Sequence, residues 1–547
     1  MRTSLRHAVL CFAALLAVHA TATADDKKPA VARGAQEEMV AMRDGVKLAT
    51  NIYLPKGKGP WPVVLTRTPY SKDGMFGSMS GRYTGADYVF VIQDTRGRFR
   101  SEGEYRPFET DRDDGFDTVA WIAKQPWCDG NIGMSGASAM GITSLLAAEA
   151  QPPALKAAYV IVAPESIWSE ASWIGGVFKE ADVTGWLKSQ NAEDQIDERR
   201  ATMLDLKMEQ ALDIIHSRDK IQIPIYHLGG WYDIFSTGTQ GNFAYLHNQG
   251  AQGAKGRQKL MMGPFGHGNL AGDLRYKGDG GILGVMRDEI RWFDHYLKGQ
   301  DNGVDREPAV KYYQMASAMK KDASDKNGWR TADNWPPKST ATRYYLSEAG
   351  SLTTTAPTTA ASSTKYVHDP KNPVPTVGGA NLTLPLGPKD QREIGDRADY
   401  LRFTTEPLAT DVSIAGPVSA DLYVSTDAPD TDYMVKLVDV YPDGYEAIVL
   451  DAPVRALFRE GRAADKIKPM EANQPTRIEI PLGGTALTFE KGHRIAVHVS
   501  SSNYPRFEVN QGNGALPNQP PGEPRAANNA VYHDADHPTA IVLPVVE

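Results

Sequence analysis

The stretch Asn131-Ile132-Gly133-Met134-Ser135-Gly136-Ala137-Ser138-Ala139-Met140-Gly141 constrains what this chain can fold into more than any other. A short apolar run leads into small residues, and Ile142 to Ala148 then reads as a helix. A serine on such a strand-to-helix turn is a nucleophile elbow. The turn is tight, so side chains at Gly136 or Gly141 would collide with the adjacent strand and helix. It lifts the Ser138 hydroxyl out of the sheet and aims backbone N–H groups at an acyl oxygen. The common pattern has glycine two residues after the serine; here Met140 stands there and Gly141 comes one later. Ser135 is a rival register, with Ala137 at its second glycine position. A serine that only caps the helix fits the same string, so the rest of the chain must decide.

A serine hydroxyl is a poor nucleophile without a base, and the base needs an orienting carboxylate. The expected chain order is Ser, then Asp or Glu, then His, each on a loop after a strand. Asp233 follows the strand-like Ile223–Leu228 in Gly229-Gly230-Trp231-Tyr232-Asp233, where a loop-capping aspartate is the alternative. His267 follows Lys259–Met262 in Gly263-Pro264-Phe265-Gly266-His267-Gly268. His227 lies inside a strand, where packing explains it better, and His295 lies on a helix. For the developing oxyanion, the Ala139 N–H directly after the serine is one donor. A second is expected from Arg67-Thr68-Pro69-Tyr70, through either the Tyr70 phenol or its backbone N–H; a plain aromatic wall is the alternative for Tyr70.

Strand-like runs at Trp61–Thr66, Tyr88–Gln93 and Ala157–Val162 alternate with helical patterns at Phe116–Lys124 and after Ser138. That rhythm implies a parallel sheet covered on both faces. Asp44-Gly45 between Met39–Met42 and Val46–Tyr53 reads as a hairpin turn. Residues 166–219 break the rhythm with Trp-, Glu- and Lys-rich stretches such as Ala192–Ile215, read as an amphipathic helical cap over the site. Val285–Leu297 reads as a helix ended by Gly299. Beyond about residue 330, stretch 338–364 is dense in Ser, Thr, Ala and Gly, and short β-type runs recur at Leu401–Thr405, Val418–Ser425, Met434–Val440, Arg477–Pro481 and Arg494–Ser500. The predicted organisation is an α/β core (38–165 and 220–330), a helical cap (166–219) and an all-β domain of jelly-roll type (331–547).

The first 24 residues read as a secretory signal peptide. Arg2 and Arg6 precede an apolar Ala8–Val18, and Ala22-Thr23-Ala24 is a small-x-small cleavage site that puts the mature start near Asp25. The expected location is periplasmic or extracellular, with no membrane attachment after cleavage. Residues 25–37 are polar and expected to be mobile. Loss of Arg2 and Arg6 takes the net charge from −8 to −10, and without a basic patch nucleic acid is not an expected partner. Of two cysteines, Cys11 leaves with the leader, and Cys128 is read as a small buried residue with no internal disulfide.

Together the motifs Met42-Arg43-Asp44-Gly45-Val46, Arg67-Thr68-Pro69-Tyr70, Gln93-Asp94-Thr95-Arg96-Gly97, Gly136-Ala137-Ser138-Ala139-Met140-Gly141, Gly230-Trp231-Tyr232-Asp233 and Gly263-Pro264-Phe265-Gly266-His267-Gly268 resemble the cocaine esterase / X-Pro dipeptidyl-peptidase group of serine hydrolases. That group also holds glutaryl-7-aminocephalosporanic acid acylases and α-amino acid ester hydrolases. Asp369-Pro370 and Pro373-Val374-Pro375-Thr376 resemble its entry into the C-terminal domain, so the likeness runs from about 38 to 545. It implies an α/β-hydrolase core with a helical cap and a C-terminal jelly roll. It also implies that Ser138 is nucleophile, Asp233 orienting acid and His267 base, with Tyr70 and the Ala139 N–H as oxyanion hole. Ala139 departs from the group's usual tyrosine, which implies a more open pocket wall. Asp94 and Arg96 are expected to form an internal salt bridge. The implied substrate is a small-molecule ester or amide, with no cofactor and no metal; oligomeric state, including a homo-oligomer, stays open. Rival expectations are an X-Pro dipeptidyl aminopeptidase, an α-amino acid ester hydrolase or glutaryl acylase, and a non-catalytic carbohydrate-binding protein. For recognition of a substrate ammonium, Glu165, Glu170 and Glu180 are loose candidates, with exposed cap acids the alternative.

Overall fold

The computed structural model of the protein describes residues 32–276, 286–319 and 323–546. The expected leader at 1–24, with Cys11, lies outside the described residues. The chain enters through an antiparallel hairpin, β1 (Gln36–Ala41) and β2 (Lys47–Tyr53), in which Ala41 faces Lys47. Gly45 closes its turn at φ 88°, a conformation that favours glycine. Next come β3 (Trp61–Thr68), β4 (Val89–Asp94), α1 (Asp111–Ile122), β5 (Cys128–Ala137), α2 (Ala139–Glu149) and β6 (Leu155–Ile161).

Between β6 and the next long strand lies a region of short pieces. It holds a π-turn at Ile167–Ser172, a small hairpin of β7 (Trp173–Ile174) and β8 (Val177–Phe178), and helices α3 (Glu180–Ser189), α4 (Ile196–Ala201) and α5 (Leu206–Leu212). The core resumes with β9 (Ile225–Tyr232), α6 (Ser236–Asn248), β10 (Lys259–Gly266), α7 (Asp288–Lys298), β11 (Val310–Gln314) and β12 (Gly328–Ala332).

These strands form one sheet in the order β1-β2-β4-β3-β5-β6-β9-β10-β11-β12. From β4 to β11 every neighbouring pair is parallel. Both faces are covered, as such a sheet requires. Val63, Leu65, Ile132 and Met134 pack with Leu145 and Leu146 of α2 on one face; Val64, Phe90 and Tyr159 pack with Trp292 and Phe293 of α7 on the other. The strand order reverses between β3 and β5, and a crevice beyond the carboxyl ends of strands at such a reversal is where α/β folds bind ligands. Tyr70 and Ser138 stand just past those two ends.

The C-terminal part contributes β13 (Thr340–Ser347), β14 (Ser351–Thr353), β15 (Ser363–His368), β16 (Leu401–Thr404), β17 (Val412–Thr426), β18 (Asp432–Val440), β19 (Glu446–Arg455), β20 (Thr476–Phe489), β21 (Arg494–Ser500), β22 (Ala527–Tyr532) and β23 (Ala540–Val545). They build one all-β system around Leu422, Val435, Leu437, Ile480 and Val497. The molecule is therefore an α/β-hydrolase core with a helical cap and an all-β C-terminal domain.

The structure refines some expectations and corrects others. The helical insertion is built of short pieces: Ala192–Ile215 holds α4 and α5, joined and flanked by single 3-10 turns, with Asp205 capping α5. The Ser/Thr-dense stretch 338–364 supplies β13, β14 and the start of β15. The end of the polar 25–37 stretch is ordered: Gln36 and Glu37 belong to β1, and Glu37 binds Lys72 and Arg100. Asp94 and Arg96 do not pair. Arg96 bridges Asp44 and Asp114 at 2.7 and 2.6 Å, while Asp94 accepts the Lys72 backbone N–H at 2.7 Å. Cys128 is half-buried rather than buried, and burial still raises its thiol pKa, which keeps it unreactive. The helix expected over Val285–Leu297 spans Asp288–Lys298 and ends at Gly299 with φ 67°; Val285 lies outside the described residues.

Candidate active site

Ser138 holds φ 59°, ψ −125° at the joint between β5 and α2. A non-glycine residue in that region carries about 1–3 kcal/mol of strain and persists only where its surroundings fix it. Here the Ser138 N–H donates to Ile161 O at 2.9 Å, and Ser138 O accepts from the Ile142 N–H at 3.0 Å. Both glycines of the string are sterically required. A Cβ on Gly136 would stand 2.4 Å from the Met140 carbonyl, and one on Gly141 would stand 2.9 Å from the Ala163 Cβ. The rival Ser135 faces away from the site. Its hydroxyl, buried inside β5, donates to Glu289, which also accepts from Tyr83 at 2.7 Å.

Asp233 and His267 leave the ends of β9 and β10, two neighbouring parallel strands. Both side chains are almost wholly enclosed, at 0% and 7% exposure. The His267 Nδ1–H donates to Asp233 Oδ2 at 2.6 Å, and Nε2 accepts from the Ser138 hydroxyl at 2.8 Å. Asp233 Oδ1 takes the Phe235 N–H at 2.8 Å, and the Phe235 ring meets the imidazole edge-on at 5.7 Å. The carboxylate thus has no rotational freedom and fixes which imidazole nitrogen carries the proton. Such a relay can draw a proton from a serine hydroxyl and stabilise the imidazolium that results. His227, by contrast, is a packed core residue with Nε2 3.2 Å from Gln258 Oε1.

Ala139 opens α2, so its N–H precedes the intrahelical ladder and sits at the positive end of the helix dipole. For Tyr70 the structure selects the phenol over the backbone. The Tyr70 N–H is taken by Thr68 Oγ1 at 3.0 Å, while the phenolic oxygen accepts the Trp186 indole N–H at 2.9 Å and lies against the Ser138 side chain. Burial pushes the phenol's pKa up, so it keeps its proton to donate.

A cavity of about 70 Å³ opens beside Ser138 and Ala139. Phe108, Ile142, Ile167, Trp186 and Phe235 give it an apolar wall, with Asp182 and Arg199 as its charged members. The cap acids singled out in the sequence all have other partners. Glu165 pairs with Arg218 at 2.6 Å, Glu180 pairs with Arg200 at 2.5 Å, and buried Glu170 accepts the Gly238 N–H at 2.6 Å. Asp182 is bound by the Leu382 N–H at 2.9 Å and by Lys179 at 3.4 Å. Among the described residues, no group of three or more His, Cys, Asp or Glu is placed to hold a metal ion, and no helix is long and apolar enough to cross a membrane.

Residues 44–211 match the family model of X-Pro dipeptidyl-peptidase (S15 family), and residues 302–542 match that of the X-Pro dipeptidyl-peptidase C-terminal non-catalytic domain. The cocaine esterase of Rhodococcus sp. is 32% identical over 94% of this chain and 98% of its own. The chain belongs to the cocaine esterase / X-Pro dipeptidyl-peptidase family of serine hydrolases. Two solved structures of the same kind superpose on it. An aminopeptidase from a marine-sediment Thaumarchaeota archaeon gives a TM-score of 0.82 at 26% identity, over 96% of this chain and 98% of that one. An α-amino acid ester hydrolase gives 0.80 at 27% identity, over 96% and 100%.

Within this family frame, the cap residues that finish the pocket escaped sequence reading. Trp186, Arg199 and the Lys179–Asp182 pair sit on short irregular helices, where neither period nor motif marks an inward face. Only the tryptophan-rich composition of 166–219 hinted at them.

Proposed function

We propose that this family member cleaves a small-molecule ester or amide through an acyl-enzyme on Ser138. The relay from Asp233 through His267 to the Ser138 hydroxyl, at 2.6 and 2.8 Å, carries the reading. His267 Nε2 takes the hydroxyl proton as Oγ attacks the acyl carbon, and the carbonyl oxygen becomes an oxyanion. The Ala139 N–H and the Tyr70 O–H stabilise that charge beside the apolar pocket wall. His267 then returns the proton to the leaving group, and the acyl-enzyme forms as the C–O or C–N bond breaks. A water, deprotonated by His267, attacks next and releases the acid with Ser138 restored.

Esters or amides without a free amine are favoured over X-Pro dipeptides and α-amino acid esters. A substrate ammonium would call for an available carboxylate, and Glu165, Glu170, Glu180 and Asp182 are each engaged elsewhere. Family membership sets aside a non-catalytic carbohydrate-binding role.

Initial rates of the purified protein and its Ser138→Ala variant on short p-nitrophenyl esters, glutaryl-p-nitroanilide and Gly-Pro-p-nitroanilide test this. Ester or glutaryl turnover that vanishes in the variant supports the reading. Gly-Pro-p-nitroanilide as best substrate would replace it with the peptidase. We also propose export by the basic and apolar N-terminal segment. N-terminal sequencing of the protein recovered outside the cytoplasm should then start near Asp25; retention of Met1 would overturn it.

A further inference from the structure

Charge balance in the pocket points to the chemistry of its substrate. Of the two charged side chains in the pocket wall, Asp182 is neutralised locally by Lys179 at 3.4 Å and by the Leu382 N–H at 2.9 Å. Arg199 is not. Among the described residues no carboxylate lies within 4 Å of its guanidinium, and it donates no hydrogen bond; it rests on the face of the Trp168 ring at 5.5 Å. Glu109 and Glu198 act on it only at longer range, and Glu198 is committed to Arg106 with both oxygens at 2.7 Å. Arg200, the next residue, binds Glu180, Asp197 and Glu508 within 4 Å. Two successive arginines on α4 are therefore treated oppositely: one is locked in ion pairs, the other stands without one in the wall of the cavity that Ser138 also lines.

A guanidinium in such a place is costly. Its surroundings dehydrate it, which lowers its pKa from the usual arginine value, and its planar fork matches a carboxylate in bidentate fashion. Lining the same cavity as the nucleophile, it can reach the far end of a substrate whose scissile carbonyl sits at Ser138.

We propose that Arg199 selects substrates bearing a carboxylate on the half held in the pocket, such as a monoester of a dicarboxylic acid. This rests on the acyl-transfer reading above and names its substrate class.

The test compares monoethyl succinate, glutarate and adipate with neutral ethyl esters of matched length and shape, followed by pH-stat. A second series places the carboxylate on the alcohol instead, to say which half carries it. The readout is the ratio of kcat/KM for charged over neutral ester in the wild type, Arg199→Met and Arg199→Lys. A ratio cancels any general loss in a poorly folded variant. The wild type should favour the charged member of at least one series. Arg199→Met should lower that ratio roughly 10- to 100-fold, the usual worth of a hydrogen bond to a charged group, and Arg199→Lys should restore part of it. A wild-type ratio below one in both series, or one unmoved in Arg199→Met, overturns the proposal. Calorimetry with glutarate separates the two readings, since binding needs no turnover. Glutarate bound by Ser138→Ala but not by Arg199→Met upholds the charge selection even if the nucleophile proves to be another residue. Equal binding by both variants, or none by either, overturns it.

Discussion

The indole N–H of Trp186, on cap helix α3, donates to the phenolic oxygen of Tyr70 at 2.9 Å. This bond joins the cap to the loop after β3. It occupies one acceptor position on the Tyr70 oxygen, which also lies against the Ser138 side chain. Tyr70→Phe should lower kcat on a p-nitrophenyl ester by about 10²- to 10³-fold with little change in KM, as expected for loss of an oxyanion donor. Trp186→Phe keeps the phenol, loses its indole donor and trims the pocket wall, and its effect on kcat should be smaller. Steady-state kinetics of the two variants check the ranking, and equal losses would count against Tyr70 as donor.

Asp233 is enclosed, bonded to the imidazole and fixed by the Phe235 N–H. Asp233→Asn preserves volume but presents an amide that favours the wrong imidazole tautomer. The expected fall in kcat is of the order of 10⁴. A fall below tenfold would mean that another group orients His267.

The two serines of the elbow string should behave differently. Ser138→Ala should abolish ester turnover, whereas Ser135→Ala should leave kcat within a few-fold, because the Ser135 hydroxyl serves Glu289 beneath the sheet. Glu289→Ala is expected to be a folding defect. It leaves the hydroxyls of Tyr83 and Ser135 and the Arg82 guanidinium without their common acceptor, at a cost of about 3–5 kcal/mol read from denaturant midpoints.

Gly136→Ala forces a methyl against the Met140 backbone at 2.4 Å. No side-chain rotation relieves that contact, so the turn must open. Loss of activity together with a lowered melting temperature is expected. A variant that is fully active at wild-type stability would contradict the close approach of β5 and α2.

Two buried groups pull acid stability in opposite directions. Burial holds His227 down to about 4. The unfolded chain binds that proton from about pH 6.5 downward, so the stability contributed is lost as pH falls from about 6.5 to about 4. Burial raises Asp94 to about 6. The folded chain holds that proton after the unfolded chain has released it, so stability is lost as pH rises from about 4 to about 6. Each effect is bounded by about 3 kcal/mol. Relative to wild type, His227→Gln should gain stability as pH drops through the first window, and Asp94→Asn as pH climbs through the second. Urea midpoints at pH 4.5 and 7 give both signs.

The core and its relay were readable because each rests on a local rule. Ser138, Asp233 and His267 all follow apolar strands and precede glycine-rich or tight loops, which is a pattern of neighbours in sequence. Arg96 meets Asp44 and Asp114 rather than the nearby Asp94 because ion pairs join distant segments, and two charges near in sequence say little about which will meet. β13 and β15 were passed over because Ser- and Thr-rich strands look like loops until a partner strand supplies their hydrogen bonds. The cap was legible as an insertion but not in its inner face, since helices of six or seven residues turn too few times to reveal a period.

The cap enters the chain between β6 and β9 and is over before Asp233 and His267 begin. Much of the pocket wall is thereby written in one contiguous passage, with the relay residues on either side of it. Residues 167–220 can drift, or be exchanged as a cassette, while the hydrogen bonds that join Asp233, His267 and Ser138 stay untouched. Trp186, through Tyr70, ties the cap to the loop beside Ser138, alongside ties such as Glu170 with the Gly238 N–H and Arg98 with the Gln190 carbonyl, so a grafted cap that lacks a donor at that place should bind new substrates yet turn them over slowly.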